Sequence, residues 1–143
     1  MTGPWLGSLW AAAAMMGAPG LRWMLHRRAL RGKEDPARLK ERRGIDNSPR
    51  PTGRVMWMHA ASLGESVSIL PVLAALASRD PGLSVVLTTG TLTSSHLLET
   101  RLPEMGLNGR VTHRFAPLDV PPWIDRFLDH WRPELACFVE SEL

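Results

Sequence analysis

From Arg54 onward the chain alternates short apolar runs with longer stretches of helical spacing. Arg54-Val-Met-Trp-Met-His-Ala60 reads as a strand, and residues 64–78 read as a helix with apolar positions at Val67, Leu70, Ala74 and Ala77. Leu83-Ser-Val-Val-Leu-Thr-Thr89 is rich in β-branched residues and reads as a second strand, followed by a helix over 93–102. A third strand is expected over 111–116, a further helix over 122–131 and a fourth strand at Leu135-Ala-Cys-Phe-Val139. Strands alternating with helices at these lengths predict right-handed βαβ units: an α/β fold with a parallel sheet covered on both faces, a Rossmann-like half-domain. The chain stops at Phe138-Val-Glu-Ser-Glu-Leu143, soon after an expected central strand, which predicts the front part of a longer protein.

The N-terminal third has a different pattern. Residues 2–21 carry no charge and include Trp5, Leu6, Leu9, Trp10, four consecutive alanines and Met15-Met16. Twenty helical residues reach about 30 Å, the thickness of a bilayer's hydrocarbon core, although Gly17, Pro19 and Gly20 break the run. Residues 1–25 are therefore read as a hydrophobic membrane anchor, either spanning or shallow, with Trp5, Trp10 and Trp23 of the type that settles at the interface. A cleaved signal peptide fits less well, because positive charge follows the apolar run instead of preceding it. Residues 22–54 hold eleven Lys/Arg against four acids, whereas residues 55–143 hold six against ten. The basic character thus belongs to one juxtamembrane linker, residues 26–53, which the positive-inside rule places on the cytoplasmic side. The folded part, residues 54–143, is mildly acidic. No nucleic-acid-binding motif accompanies the charge, so a nucleic-acid partner is not expected.

In open parallel sheets the ligand crevice lies beyond the carboxyl ends of the strands. Three loops fall on that edge: His59 to Glu65, Thr88 to Ser95, and Glu140 to Glu142. Ser62-Leu-Gly-Glu65 matches a capping box, in which Glu65 reaches back to the N-cap amide. The same carboxylate, projecting from a tight turn, is also a candidate general base for a substrate hydroxyl. The helix terminus favours its charged form, which makes it a reliable but weak base. Thr88-Thr-Gly-Thr-Leu-Thr-Ser-Ser95 precedes a helix, so its amides and hydroxyls, Thr91 and Thr93 among them, are either a phosphate cradle or a capped turn. It lacks the glycine and lysine spacing of a P-loop or a dinucleotide fold. Glu140 and Glu142, two apart on a continuing strand, share one face. The five histidines lack metal-ligand spacing, so no metal site is expected, and His59 is read as a structural hydrogen-bonding residue beside Glu65. Cys137, the only cysteine, is read as a small buried hydrophobe.

Taken in order, these segments resemble the Kdo transferases, the 3-deoxy-D-manno-octulosonic acid transferases of lipopolysaccharide core synthesis. The matching features are the hydrophobic N-terminus, the basic Arg38-Leu-Lys-Glu-Arg-Arg-Gly44, His59-Ala-Ala-Ser-Leu-Gly-Glu-Ser66, Thr88-Thr-Gly-Thr-Leu-Thr-Ser-Ser95, Ala116-Pro-Leu-Asp119 and Phe138-Val-Glu-Ser-Glu-Leu143. The resemblance implies the N-terminal, acceptor-binding half of a GT-B glycosyltransferase, inverting and metal-independent. It implies transfer of Kdo from CMP-Kdo to the lipid A precursor at the cytoplasmic face of the inner membrane. The family's base in its Gly-Glu turn falls on Glu65, after Gly64, with Ser62 positioning it, and the acids of its Glu-x-Glu-Leu segment fall on Glu140 and Glu142. No cofactor is implied. The donor CMP-Kdo is bound mainly by a C-terminal domain that this chain does not contain, so the chain alone is expected to be inactive. The competing expectation is a membrane-tethered α/β module that binds a phosphorylated lipid or nucleotide without chemistry.

Overall fold

The computed structural model describes residues 4–140. The chain divides into two compact units, Met1–Asp46 with Pro117–Asp129, and Asn47–Ala116 with His130–Leu143.

The second unit is built on four strands, β1 (Arg54–Ala60), β2 (Leu83–Thr89), β3 (Val111–Phe115) and β4 (Leu135–Val139), all parallel and in the order β3-β2-β1-β4. The strand bounds of β1, β2 and β4 are those expected from the apolar runs, and β3 ends one residue early, where Ala116 donates its amide to the Thr89 carbonyl. The chain builds outward from β1 to β3 and then returns to the other side of β1. The direction of winding therefore reverses between β1 and β4, where an open parallel sheet leaves its crevice. β4, expected to be central, is an edge strand among the described residues, and its Phe138 is 54% exposed.

One face of the sheet is closed by the helices of the first two crossovers. With α1 at Pro4–Leu30, these are α2 (Leu63–Arg79) and α3 (Leu92–Glu104). Met58, Val85, Leu87 and Val111 of the sheet pack with Ile69, Leu70 and Leu73 of α2 and with Leu98 and Leu102 of α3. Cys137 is half-buried against this core. The expected apolar stripe of α2 needs one correction: Leu70 is buried, but Val67 is 49% exposed and Ser66 is buried in its place. Counting back from Leu73 and Ile69 by helical steps arrives at Ser66. The serine fits because its hydroxyl donates to the Ser62 carbonyl at 2.8 Å.

In the first unit, α1 runs unbroken through Gly17, Pro19 and Gly20, against the expectation of a break. A proline removes one backbone hydrogen bond, and the alanine-rich turns before it and the Leu21-to-Leu30 turns after it carry the helix across. The alanines and glycines dilute the apolar run, and no helix among the described residues is long and apolar enough to cross a membrane. The spanning form of the expected anchor is therefore not found, although the helix itself is.

After α1 come two short 3-10 turns, Pro36–Arg38 and Glu41–Arg43. The basic segment is less uniformly solvated than its composition implies. Glu34, buried, accepts from the Nε and Nη2 of buried Arg42 at 3.1 and 3.3 Å and from Arg28 Nε at 3.1 Å. Two cations on one carboxylate offset its desolvation. Arg38 makes a two-point pair with Glu41, at 2.8 and 2.9 Å.

Gly44 then turns the chain with φ +68, and a methyl group there would collide with the Trp123 carbonyl of α4 (Pro121–Trp131). Both the left-handed backbone and the contact require glycine. Gly44→Ala is predicted to destabilise the protein by about 2–5 kcal/mol, the sum of a left-handed penalty and an overpacked contact. Urea unfolding monitored by tryptophan fluorescence checks this; a midpoint equal to that of the unaltered protein would contradict it.

Candidate functional site at the carboxyl edge of the sheet

The loop after β1 is fixed by hydrogen bonds that its own sequence dictates. Ser62 is the N-cap of α2 with an extended backbone, and its Oγ accepts the Glu65 amide at 3.3 Å. Glu65 Oε2 accepts the Ser62 amide at 3.1 Å and the Ala61 amide at 2.7 Å, so the capping box is formed and extended by one donor. The Glu65 side chain is thereby pinned within the turn that leaves the central strand, and the residue is only 9% exposed.

This arrangement bears directly on the choice between cap and base. A carboxylate offers about four acceptor sites on two oxygens. The Ala61 and Ser62 amide bonds both fall on Oε2, so the cap by itself does not decide against a base. Gly64 stands in the first turn of α2, where a methyl group would meet nothing within 4 Å, so neither space nor turn geometry demands glycine there.

The loop after β2 forms a second capped turn. Thr91 is the N-cap of α3, its Oγ1 accepting the Ser94 amide at 3.2 Å and lying 2.8 Å from Ser94 Oγ. Thr93, in the first turn of α3, is exposed. The two loops approach closely, since a methyl group on Gly90 would lie 3.0 Å from the Ala61 carbonyl. Ser62, Glu65 and Thr91 thus stand side by side on the edge that the topology nominates.

Glu140 directly follows β4 and is exposed; because Val139 pairs with Ala60, Glu140 leaves the sheet beside the Ala61 turn. Glu142 lies outside the described residues. Among the described residues, no group of three or more His, Cys, Asp or Glu side chains is arranged to hold a metal ion.

Sequence reasoning missed the organiser of the opposite sheet face. Thr88, fully buried, takes the Trp57 Nε1–H at 2.9 Å and meets His59 Nδ1 at 2.9 Å. Phe138 packs edge-on to Trp57 and tilted to His59, with ring centroids 5.0 and 5.7 Å apart. The structural hydrogen bond expected of His59 is therefore present. Its partner was detectable only through register, since His59 and Thr88 occupy one rung of the parallel ladder.

The other end of the sheet carries a different set of charges. There the Arg54 guanidinium sits between Glu134 and Asp80, which hold its pKa above the ordinary value, the Glu134 hydrogen bond contributing most. Arginine is already fully charged at neutral pH, so the raised value adds no titration to the chemistry of the opposite edge.

Comparison with known proteins assigns the fold to a lineage. A family model described as "3-Deoxy-D-manno-octulosonic-acid transferase (kdotransferase)" matches residues 37–143. A probable mitochondrial 3-deoxy-D-manno-octulosonic acid transferase of Arabidopsis thaliana is 40% identical over 123 residues, covering 86% of this chain and 26% of its own. The 3-deoxy-D-manno-octulosonic acid transferase of Rickettsia bellii is 36% identical over 116 residues, covering 81% and 27%, and that of Haemophilus influenzae is 35% identical over 107 residues, covering 74% and 24%. The chain spans about a quarter of the length of these relatives. No solved structure matches. The matched region takes in the whole second unit, part of the first and every candidate residue of the carboxyl edge, and the chain belongs to the Kdo transferase family.

Proposed function

We propose that the protein is the acceptor-side, N-terminal part of a GT-B glycosyltransferase that moves Kdo from CMP-Kdo to the lipid A precursor, with inversion and without a metal ion. The observation that carries this reading is the seat of Glu65: a carboxylate held by two backbone amides, in the first turn beyond the central strand, at the point where the winding reverses. In this reading Glu65 takes the proton of the acceptor hydroxyl as its oxygen bonds to the anomeric carbon of Kdo. The bond from that carbon to the phosphate oxygen breaks, and CMP leaves with the electron pair. A phosphate leaving group needs no protonation at neutral pH, so a modest base suffices. Ser62 positions Glu65. Glu140 lines the same cleft, Glu142 keeps the role that the resemblance implies for it, and Thr91 and Thr93 stand where an anionic group would approach the start of α3.

The N-terminal helix supports a seat on the cytoplasmic face of the inner membrane. Its uncharged first part exposes Trp5, Leu9, Trp10 and Met16, and its last turn carries Arg27 and Arg28. An interfacial helix of this kind, followed by basic residues, meets a bisphosphorylated lipid where that lipid resides. We therefore assign residues 1–25 to a shallow anchor, 26–53 to a basic linker and 54–143 to the acceptor domain. The donor CMP-Kdo would be held mainly by residues outside this chain, and no cofactor is required.

Two substitutions separate base from cap, assayed in the polypeptide isolated from its source membranes at its native length. Glu65→Gln keeps an amide oxygen to cap α2 but removes the base, so turnover is expected to fall by roughly 10²–10⁴-fold while stability stays within about 1 kcal/mol. Ser62→Ala removes one cap bond at a cost of about 1 kcal/mol, with a smaller loss of turnover than Glu65→Gln. Turnover unchanged in Glu65→Gln would remove Glu65 from the chemistry and favour a tethered binding module.

A further inference from the structure

We infer that the first unit contains a binding site for a single phosphate group, in a cavity of about 150 Å³ lined by Arg22, Leu25, His26, Leu39 and Arg43. The cavity is built by helical spacing and by one turn. Arg22 and His26 are four residues apart on α1 and share a face, and buried Leu25 between them anchors that face. Arg43 comes from the 3-10 turn that Gly44 terminates. Arg42 and Arg43 are adjacent, yet Arg42 turns to buried Glu34 while Arg43 lines the cavity.

Pairing elsewhere in the unit commits several of its charges to structure. Glu34 is engaged by Arg28 and Arg42, Glu41 by Arg38, and Asp35 caps the Ala37 amide. A neighbouring cavity is also lined by arginines, but there Arg27 lies over the Trp23 ring at 5.0 Å and Arg28 is paired with Glu34. Among the described residues, no carboxylate pairs with Arg22, His26 or Arg43. The two like-charged guanidinium groups of Arg22 and Arg43 border one concavity, and an anion offsets their repulsion.

The dimensions and donors select the ligand. The volume is well below the roughly 300 Å³ at which pockets for whole small molecules begin, so the site suits one group, not a nucleotide. Two guanidinium forks and an imidazole N–H match the oxygens of a phosphate. Leu25 and Leu39 keep the floor apolar. The group can belong to an anionic lipid headgroup or to free phosphate; exposed Met16 and Trp10 on the same helix favour the lipid. The inference does not depend on sugar transfer, since a chain without transferase activity would still bind phosphate here.

The test compares Arg22→Gln/Arg43→Gln with Arg27→Gln/Arg31→Gln, an equal loss of charge from the neighbouring cavity. Binding of inorganic phosphate to the full chain is followed by phosphorus NMR, and binding to phosphatidylcholine vesicles with and without phosphatidic acid by co-sedimentation. The first double variant is expected to weaken phosphate binding at least about tenfold, and the second less than about twofold. If vesicle binding falls in parallel and inorganic phosphate competes for it, the ligand is the headgroup; if phosphate binding alone falls, the ligand is free phosphate. Circular dichroism confirms folding, and should the first double variant unfold, Arg22→Gln and Arg43→Gln singly carry the same comparison. Absence of phosphate binding by the unaltered chain, or equal losses in both double variants, overturns the site.

Discussion

Strand β1 pairs in parallel with β2 along its whole length and with β4 from Met56 to Ala60, and the rest of the second unit follows from that double pairing. At their carboxyl ends the three strands stop together, at Ala60, Thr89 and Val139. The turn leaving β1 therefore opens onto a flat edge between two sub-sheets wound in opposite senses. The first residues of that turn must satisfy their own amides, because no strand remains to do so. Ser62 and Glu65 perform that service. The candidate site thus follows from the same constraint that terminates the sheet, and the residue proposed for chemistry is already held in place by backbone donors.

The first unit solves a different problem. Its charge is high for its size, and it folds by committing carboxylates to chosen arginines: Glu34 to Arg28 and Arg42, Glu41 to Arg38. A buried ion pair contributes little net stability, but it fixes where the chain turns, because losing one partner leaves the other charge buried and alone. With those carboxylates committed, the cations around the small cavity on α1 are left for a ligand. A local charge excess that looks uniform in the sequence is in this way divided between structural and available residues.

The strands were legible because parallel strands with both faces covered read as continuous apolar runs, as in Arg54–Ala60 and Leu83–Thr89. The start of α2 was legible because a capping box is a local pattern, and the resemblance placed the chain in the family that the comparisons identify. The failures have physical causes. Helix α1 crosses Pro19, so proline alone did not mark an end; the strength of the flanking turns decided. Val67 is apolar yet exposed, while Ser66 is buried on a local hydrogen bond, so polarity misassigned the face of α2. Thr88 as the partner of Trp57 and His59, and Glu34 as a buried anchor, depend on contacts between segments that no local spacing encodes.

The central claim is that the carboxyl edge organised by Glu65 serves glycosyl transfer. The most direct measurement is to incubate the native-length polypeptide with CMP-Kdo and the lipid A precursor, following CMP release and the anomeric configuration of the product by NMR. The account predicts CMP release that depends on the acceptor and a Kdo glycoside of inverted configuration. Acceptor binding without product, or a product of retained configuration, would contradict it.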